Sequence, residues 1–167
     1  GNRMQFTVAD FVGGDYFEMY QFDVLEGRLF DRASADRGDK VAVVRESLAK
    51  SCFPDGDAVG KKITVQNVEY EVIGIIADYS LFVAPTTANI WLPYRYNHFV
   101  PSYNFCYNLY LLFSESMGKP QMKEAVCNLM QATYENRNQN VQLAPDKIYT
   151  QKEERIREFG TDILLYG

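Results

Sequence analysis

The chain has no apolar run of about 20 residues, a single histidine, three cysteines and no cluster of Lys or Arg. Each absence removes a class of protein. Without a long apolar run, nothing in these 167 residues spans a bilayer as a helix. With His98 alone, a triad or a histidine metal site has one imidazole to draw on, and that residue sits in an aromatic, proline-flanked segment with no nucleophile candidate beside it. Cys52, Cys106 and Cys127 fit neither zinc spacing nor a redox pair, and an odd number leaves at least one unpaired within the chain. They read as small buried hydrophobes. The balance of 17 basic and 22 acidic residues gives a net charge of −5, without the concentrated basic face that nucleic acid requires. No initiator methionine precedes Asn2 and no signal peptide is present, so the chain reads as a piece of a longer protein.

Motifs for chemistry are equally sparse. Gly56–Lys62 (GDAVGKK) has three residues between its glycines where a phosphate loop has four, and a strand pattern follows it rather than a helix. Asp55 with Asp57, and Asp36 with Asp39, lack the ligand ladder of a calcium loop and read as solvated loop carboxylates. No Gly-x-Ser-x-Gly elbow occurs. The reading is therefore no catalytic residue, no metal ligand and no cofactor.

What is present is an ordinary globular composition, 47% hydrophobic and 23% charged. Met4, Phe6 and Val8 alternate as a strand, ended by Gly13 and Gly14. Asp15 caps a short helix, with Glu18 three residues on as in a capping box and Tyr16, Phe17 and Tyr20 on one side. Gly27 marks a turn, and the polar stretch 31–40 reads as an exposed loop. Val41–Val44 is a β-branched interior strand feeding a helix at about 46–53, which Pro54, Asp55 and Gly56 stop. Ile63–Val65 and Tyr70–Ile76 form a hairpin around Gln66 and Asn67, and Gly74 inside the returning strand signals a bulge or a close approach. Asn89–Leu92 is a strand closed by Pro93, and Asn108–Phe113 alternates as another. Gly118 and Pro120 open a helix whose stripe is Met122, Ala125, Val126, Leu129, Met130 and Thr133. Val141–Leu143 is a short strand, and Asp146 caps a final charged helix. The order predicts an α+β fold: a mixed sheet built from βαβ-like units, with helices mainly on one face.

Two segments bear on contacts. Trp91, Tyr94, Tyr96, Phe99, Tyr103, Phe105 and Tyr107 crowd one stretch with Arg95, the residue types that form interface hot spots. Alternate members of such a stretch also pack into a core as strand neighbours do. The partner-contact candidates are Trp91, Tyr94, Arg95, Tyr96 and Phe99. At the other end, KEERIRE at 152–158 gives way to Ile163, Leu164, Leu165 and Tyr166, which reads either as a domain end or as a helix continuing into a membrane span.

In order along the chain stand DYF at 15–17, LEGRLF at 25–30, VAVVRESLAKSCFP at 41–54, AVGKKITV at 58–65 and YEVIGIIAD at 70–78. Together they resemble the MacB-type periplasmic core domain of ABC transporter permeases, and TANIWLPY at 87–94 extends the likeness. Gly27, Arg28, Phe30, Ser47, Leu48, Ala49, Phe53, Gly60, Lys61, Val72, Gly74 and Asp78 carry it, all at positions with structural explanations. The resemblance implies one extracytoplasmic core domain over 1–167, its main lobe at about 1–80 and 108–160, with room for a small insertion at about 81–107. It further implies a non-enzymatic part of a bacterial inner-membrane permease, on the periplasmic side between the first and second membrane helices. There it would meet substrate or a periplasmic adaptor protein. The partner across the membrane helices would be a cytoplasmic ATP-binding subunit or domain, and the full-length protein a homodimer. The alternative reading is a soluble extracytoplasmic module that binds a ligand or protein with segment 91–107.

Overall fold

The computed structural model describes residues 7–79, 86–96, 111–114 and 116–135. The chain divides into two compact units, Gly1–Cys106 and Tyr107–Gly167. In the first, β1 (Ala9–Val12), β2 (Val24–Gly27), β3 (Val41–Arg45), β4 (Lys62–Val65), β5 (Val68–Ile76) and β6 (Ile90–Pro93) form one mixed sheet in the order β1-β6-β3-β5-β2. β4 lies beside the first half of β5, and β2 beside its second half. β1 runs parallel to β6 and β3 parallel to β5, while β6 is antiparallel to β3. The α+β fold and mixed sheet expected from the sequence are thus present.

The unit's helices are α1 (Tyr16–Met19), α2 (Arg32–Arg37) and α3 (Glu46–Cys52). Strand alternation sorts their contacts. Val43, Ile73, Ile76 and Trp91 share one buried cluster with Tyr16, Phe17, Phe30 and Ala35, so the two short helices α1 and α2 cover that face. Ala42, Val44, Tyr70, Val72, Ile75, Ile90 and Leu92 share the other with Leu48 and Ala49 of α3. The β3–α3–β5 passage is the βαβ-like unit, with two parallel strands joined across a packed helix.

The residues that carry the family likeness turn out to be the joints of this sheet. Gly27 faces Gly74 across β2 and β5. A Cβ on either would collide with main-chain oxygen, on Gly27 with that of Ile73 and on Gly74 with that of Arg28. Gly27 also holds φ +71°, which a side chain resists. Asp78, just past β5, accepts the Ser47 main-chain N–H (3.3 Å) and hydroxyl (2.9 Å), so α3 is capped by a residue 31 positions downstream. Gly60 donates to the Val72 carbonyl (2.7 Å), and Val72 donates to that of Lys61 (2.8 Å), which ties the loop before β4 to β5.

Several expectations need correction. The first strand is Ala9–Val12, later than the alternation at Met4–Val8, whose start lies outside the described residues. Asp15 makes no capping box: its own backbone is helical (φ −63°, ψ −16°), which turns its carboxylate away from the first turn and toward Arg32, 3.6 Å distant. The expected loop at 31–40 contains α2. Asp31 accepts the Ser34 N–H at 2.8 Å, and Gly38, left-handed at φ 70°, closes the other end. Its apolar residues are Ala33, which is exposed, and Ala35, which is buried, so periodicity missed it. Gly27 ends a strand rather than merely marking a turn. That strand is short and exposed throughout, so it shows no alternation. The bulge signalled at Gly74 is present as a register shift between Ala42 and Val43 against β5.

In the second unit α4 spans Lys119–Glu135, with Gln121 Oε1 accepting the Gly118 N–H at 3.1 Å. Val126 is buried and Met122, Ala125 and Met130 half-buried, whereas Leu129 is exposed. Of the strand expected at 108–113, Leu111–Phe113 form none, and 108–110 lie outside the described residues. The expected strand at 141–143 and final helix after Asp146 lie outside the described residues.

Candidate partner-contact site

The contact candidates begin on β6 and run into the 3₁₀ turn Tyr94–Tyr96. All four β6 residues are buried, and Pro93 ends the strand inside the fold. Trp91 is 0% exposed. Its ring lies 5.7 Å from Phe22 and 6.4 Å from Tyr79, within an aromatic layer that also holds Tyr16, Phe17, Tyr20 and Phe30. Burial pushes the Tyr16 phenol well above its ordinary range, while the Trp91 indole beside it pulls the other way. Trp91 is thus packed into this layer and closed off from solvent.

Tyr94 and Arg95 are exposed. The Tyr94 hydroxyl donates to Asp36 Oδ1 at 3.0 Å, which seats the 3₁₀ turn against α2. Beyond Asp36, Arg37 grips Asp39 with Nε (3.2 Å) and Nη2 (2.6 Å), and the Ser34 hydroxyl donates to the same carboxylate at 2.8 Å. Arg37 and then Ser34 hold the Asp39 carboxyl below the usual carboxylate range, and Asp39 raises Arg37 in turn. Arg32, Asp36 and Arg37 of α2 and Arg95 of the 3₁₀ turn are all exposed, and Asp36 is the one that Tyr94 contacts. Tyr96 closes the turn, and Phe99, like His98, lies outside the described residues.

Sequence reasoning missed Arg45 and Tyr79. Arg45 occupies the N-cap position of α3 but makes no side-chain cap; its guanidinium instead lies buried 3.9 Å from the Tyr79 ring centroid. The available signal was a charge closing a continuous apolar run, VAVV-R, where a capping Ser, Thr, Asp or Asn is the usual choice.

The other sequence candidates resolve into local contacts. Lys61 Nζ donates to the Gly56 carbonyl at 2.9 Å, so the loop resembling a phosphate loop binds its own lysine. Cys52 and Cys127 are free, half-buried thiols, with burial raising that of Cys52. Among the described residues, no group of three or more His, Cys, Asp or Glu is placed to hold a metal, and no helix is long and apolar enough to cross a membrane.

The chain matches the family described as the MacB-like periplasmic core domain over residues 1–157. It is 28% identical over 95 residues to the macrolide export ATP-binding/permease protein MacB of Shewanella sp., covering 56% of this chain and 15% of that protein. It is 33% identical over 88 residues to MacB of Escherichia coli, covering 52% and 14%. These matches span about a seventh of the length of those curated relatives. Among solved structures, the periplasmic region of MacB from Actinobacillus actinomycetemcomitans superposes with a TM-score of 0.57 at 19% identity, over 75% of this chain and 56% of that one. A domain of a permease protein from Porphyromonas gingivalis gives 0.56 at 19% identity, over 78% and 61%. Both share the fold.

Proposed function

The chain belongs to the MacB-like periplasmic core domain family, and from that premise we propose that it is the non-catalytic periplasmic part of an ABC transporter permease in a bacterial inner membrane. In this reading the 167 residues form one extracytoplasmic core domain, with its main lobe at about 1–80 and 108–160 and a small insertion at about 81–107. ATP is hydrolysed by a cytoplasmic ATP-binding domain or subunit. Membrane helices carry the resulting movement to this domain, which contacts substrate or a periplasmic adaptor and drives export or release. The full-length protein acts as a homodimer. Tyr94 and Arg95 are the contact candidates this reading places at the surface, with Tyr96 and Phe99 continuing the segment.

The observation that carries the reading is the family match over residues 1–157. It draws support from the sheet joints: Gly27 against Gly74 and Ser47 against Asp78 are matched positions, and each fixes the fold rather than a reaction. The intact reading frame tests it. An apolar segment of about 20 residues shortly before Asn2 and another starting near Ile163, with a cysteine placed at Tyr94 labelled from the periplasmic side of whole cells, is the expected outcome. Polar flanks on both sides, or labelling only after the inner membrane is broken, would overturn it.

A further inference from the structure

Arg45 ends β3 with its side chain turned into the aromatic face, and it is 7% exposed. One corner of its guanidinium is occupied: Nη1 donates to Asn89 Oδ1 at 3.3 Å. Asn89 is itself fixed. Its Nδ2 donates to Thr7 Oγ1 (3.0 Å), its main-chain N–H to the Val8 carbonyl (2.9 Å), and its carbonyl accepts the Arg45 N–H (3.0 Å). The flat face of the guanidinium is occupied as well, by the Tyr79 ring.

What remains is one edge. Nε and Nη2 are both buried and have no hydrogen-bond partner among the described residues. They are the two donors that lie side by side in the guanidinium plane, the edge that meets both oxygens of a carboxylate at once. No described carboxylate pairs with Arg45. A buried charge with two donors unmet is an arrangement that folded proteins supply with an acceptor.

We propose that this edge of Arg45 binds the carboxylate of a small acidic molecule. The chemistry follows from the surroundings. With Tyr79 over one face and Asn89 on Nη1, a ligand approaches in the plane and meets the edge with two oxygens, and in a site this closed a singly charged carboxylate costs less to desolvate than a phosphate with its second charge. A side chain this closed leaves room for a ligand of a few atoms at most, not for the side chain of a folded partner. The site is independent of the transport reading and stands apart from Tyr94 and Arg95.

The test is an acetate titration of the ¹⁵N-labelled 167-residue chain, followed at the Arg45 Nε–H and the Asn89 side-chain amide, with chloride at matched ionic strength and inorganic phosphate as comparisons. A saturable shift at both signals with acetate, absent with chloride and with phosphate, is expected. Arg45→Lys keeps the charge and loses the fork, and should weaken acetate binding at least about tenfold. An Arg45 Nε–H signal unmoved by acetate overturns the proposal, as does an equal response to chloride or phosphate. Acetate binding to Arg45→Lys as tightly as to the wild type also overturns it. Where Arg45→Lys fails to fold, the wild-type Nε–H signal decides alone.

Discussion

A methyl group on Gly74 has nowhere to go, because the Arg28 carbonyl oxygen already occupies the place of a Cβ. Gly74→Ala must push β2 off β5 or break their pairing. We expect a loss of about 3 kcal/mol or more in urea unfolding; a loss below about 1 kcal/mol would show that β2 moves freely. Tyr16 offers a pH readout. Burial raises its phenol, so the unfolded chain ionises first, from about pH 10. The stability this residue contributes is complete below that pH and is lost as pH rises past it. Tyr16→Phe keeps the ring and removes the proton, so its alkaline unfolding midpoint, followed by circular dichroism, should lie above that of the wild type. Coincident midpoints would assign the alkaline transition to another group.

At the scale of elements, α2 depends on its ends more than on its packing. With Ala35 as its apolar anchor, it is held by the Asp31 cap and the Gly38 terminus. Asp31→Ala should cost about 1 kcal/mol in thermal or urea unfolding, and an unchanged midpoint would mean that Ala35, the Gly38 terminus and the Tyr94–Asp36 contact hold the helix without the cap. The β4–β5 turn invites the opposite experiment. Gln66 (φ 50°) and Asn67 (φ 65°) both sit in left-handed backbone, as a type I′ turn requires. Replacing the pair with Asn-Gly should raise stability by roughly 0.5–1 kcal/mol, and a fall in the urea midpoint would rule out that turn geometry. The two elements also differ in how they present themselves in the sequence. The hairpin was legible because β-branched runs flank a two-residue break; α2 was not, because a polar helix with one buried alanine has the composition of a loop.

Over the whole molecule, the strands within residues 41–93 were legible in their β-branched runs, whereas their order in the sheet was not, because it rests on pairings such as Gly27 with Gly74 that only folding brings together. Nor was the contact segment legible. Seven aromatics within seventeen residues look alike in a sequence, and only strand direction separates Trp91, turned inward from β6, from Tyr94 beyond the proline. Trp91→Ala should therefore cost about 3–5 kcal/mol, whereas Tyr94→Phe, which loses one surface hydrogen bond, should stay within about 1 kcal/mol; denaturant curves of the two variants would expose any reversal of that order. Arg45 was hidden for a related reason: its role depends on Tyr79 and Asn89, which only folding brings beside it. The Ser47–Asp78 tie sets a clock as well as a cap. Helix α3 leaves the ribosome 31 residues before the carboxylate that closes its first turn, an interval on the order of seconds at ordinary rates of synthesis. Until then the βαβ unit waits open, its apolar helix face in need of cover, and the arrival of one aspartate marks the moment at which this half of the sheet can lock.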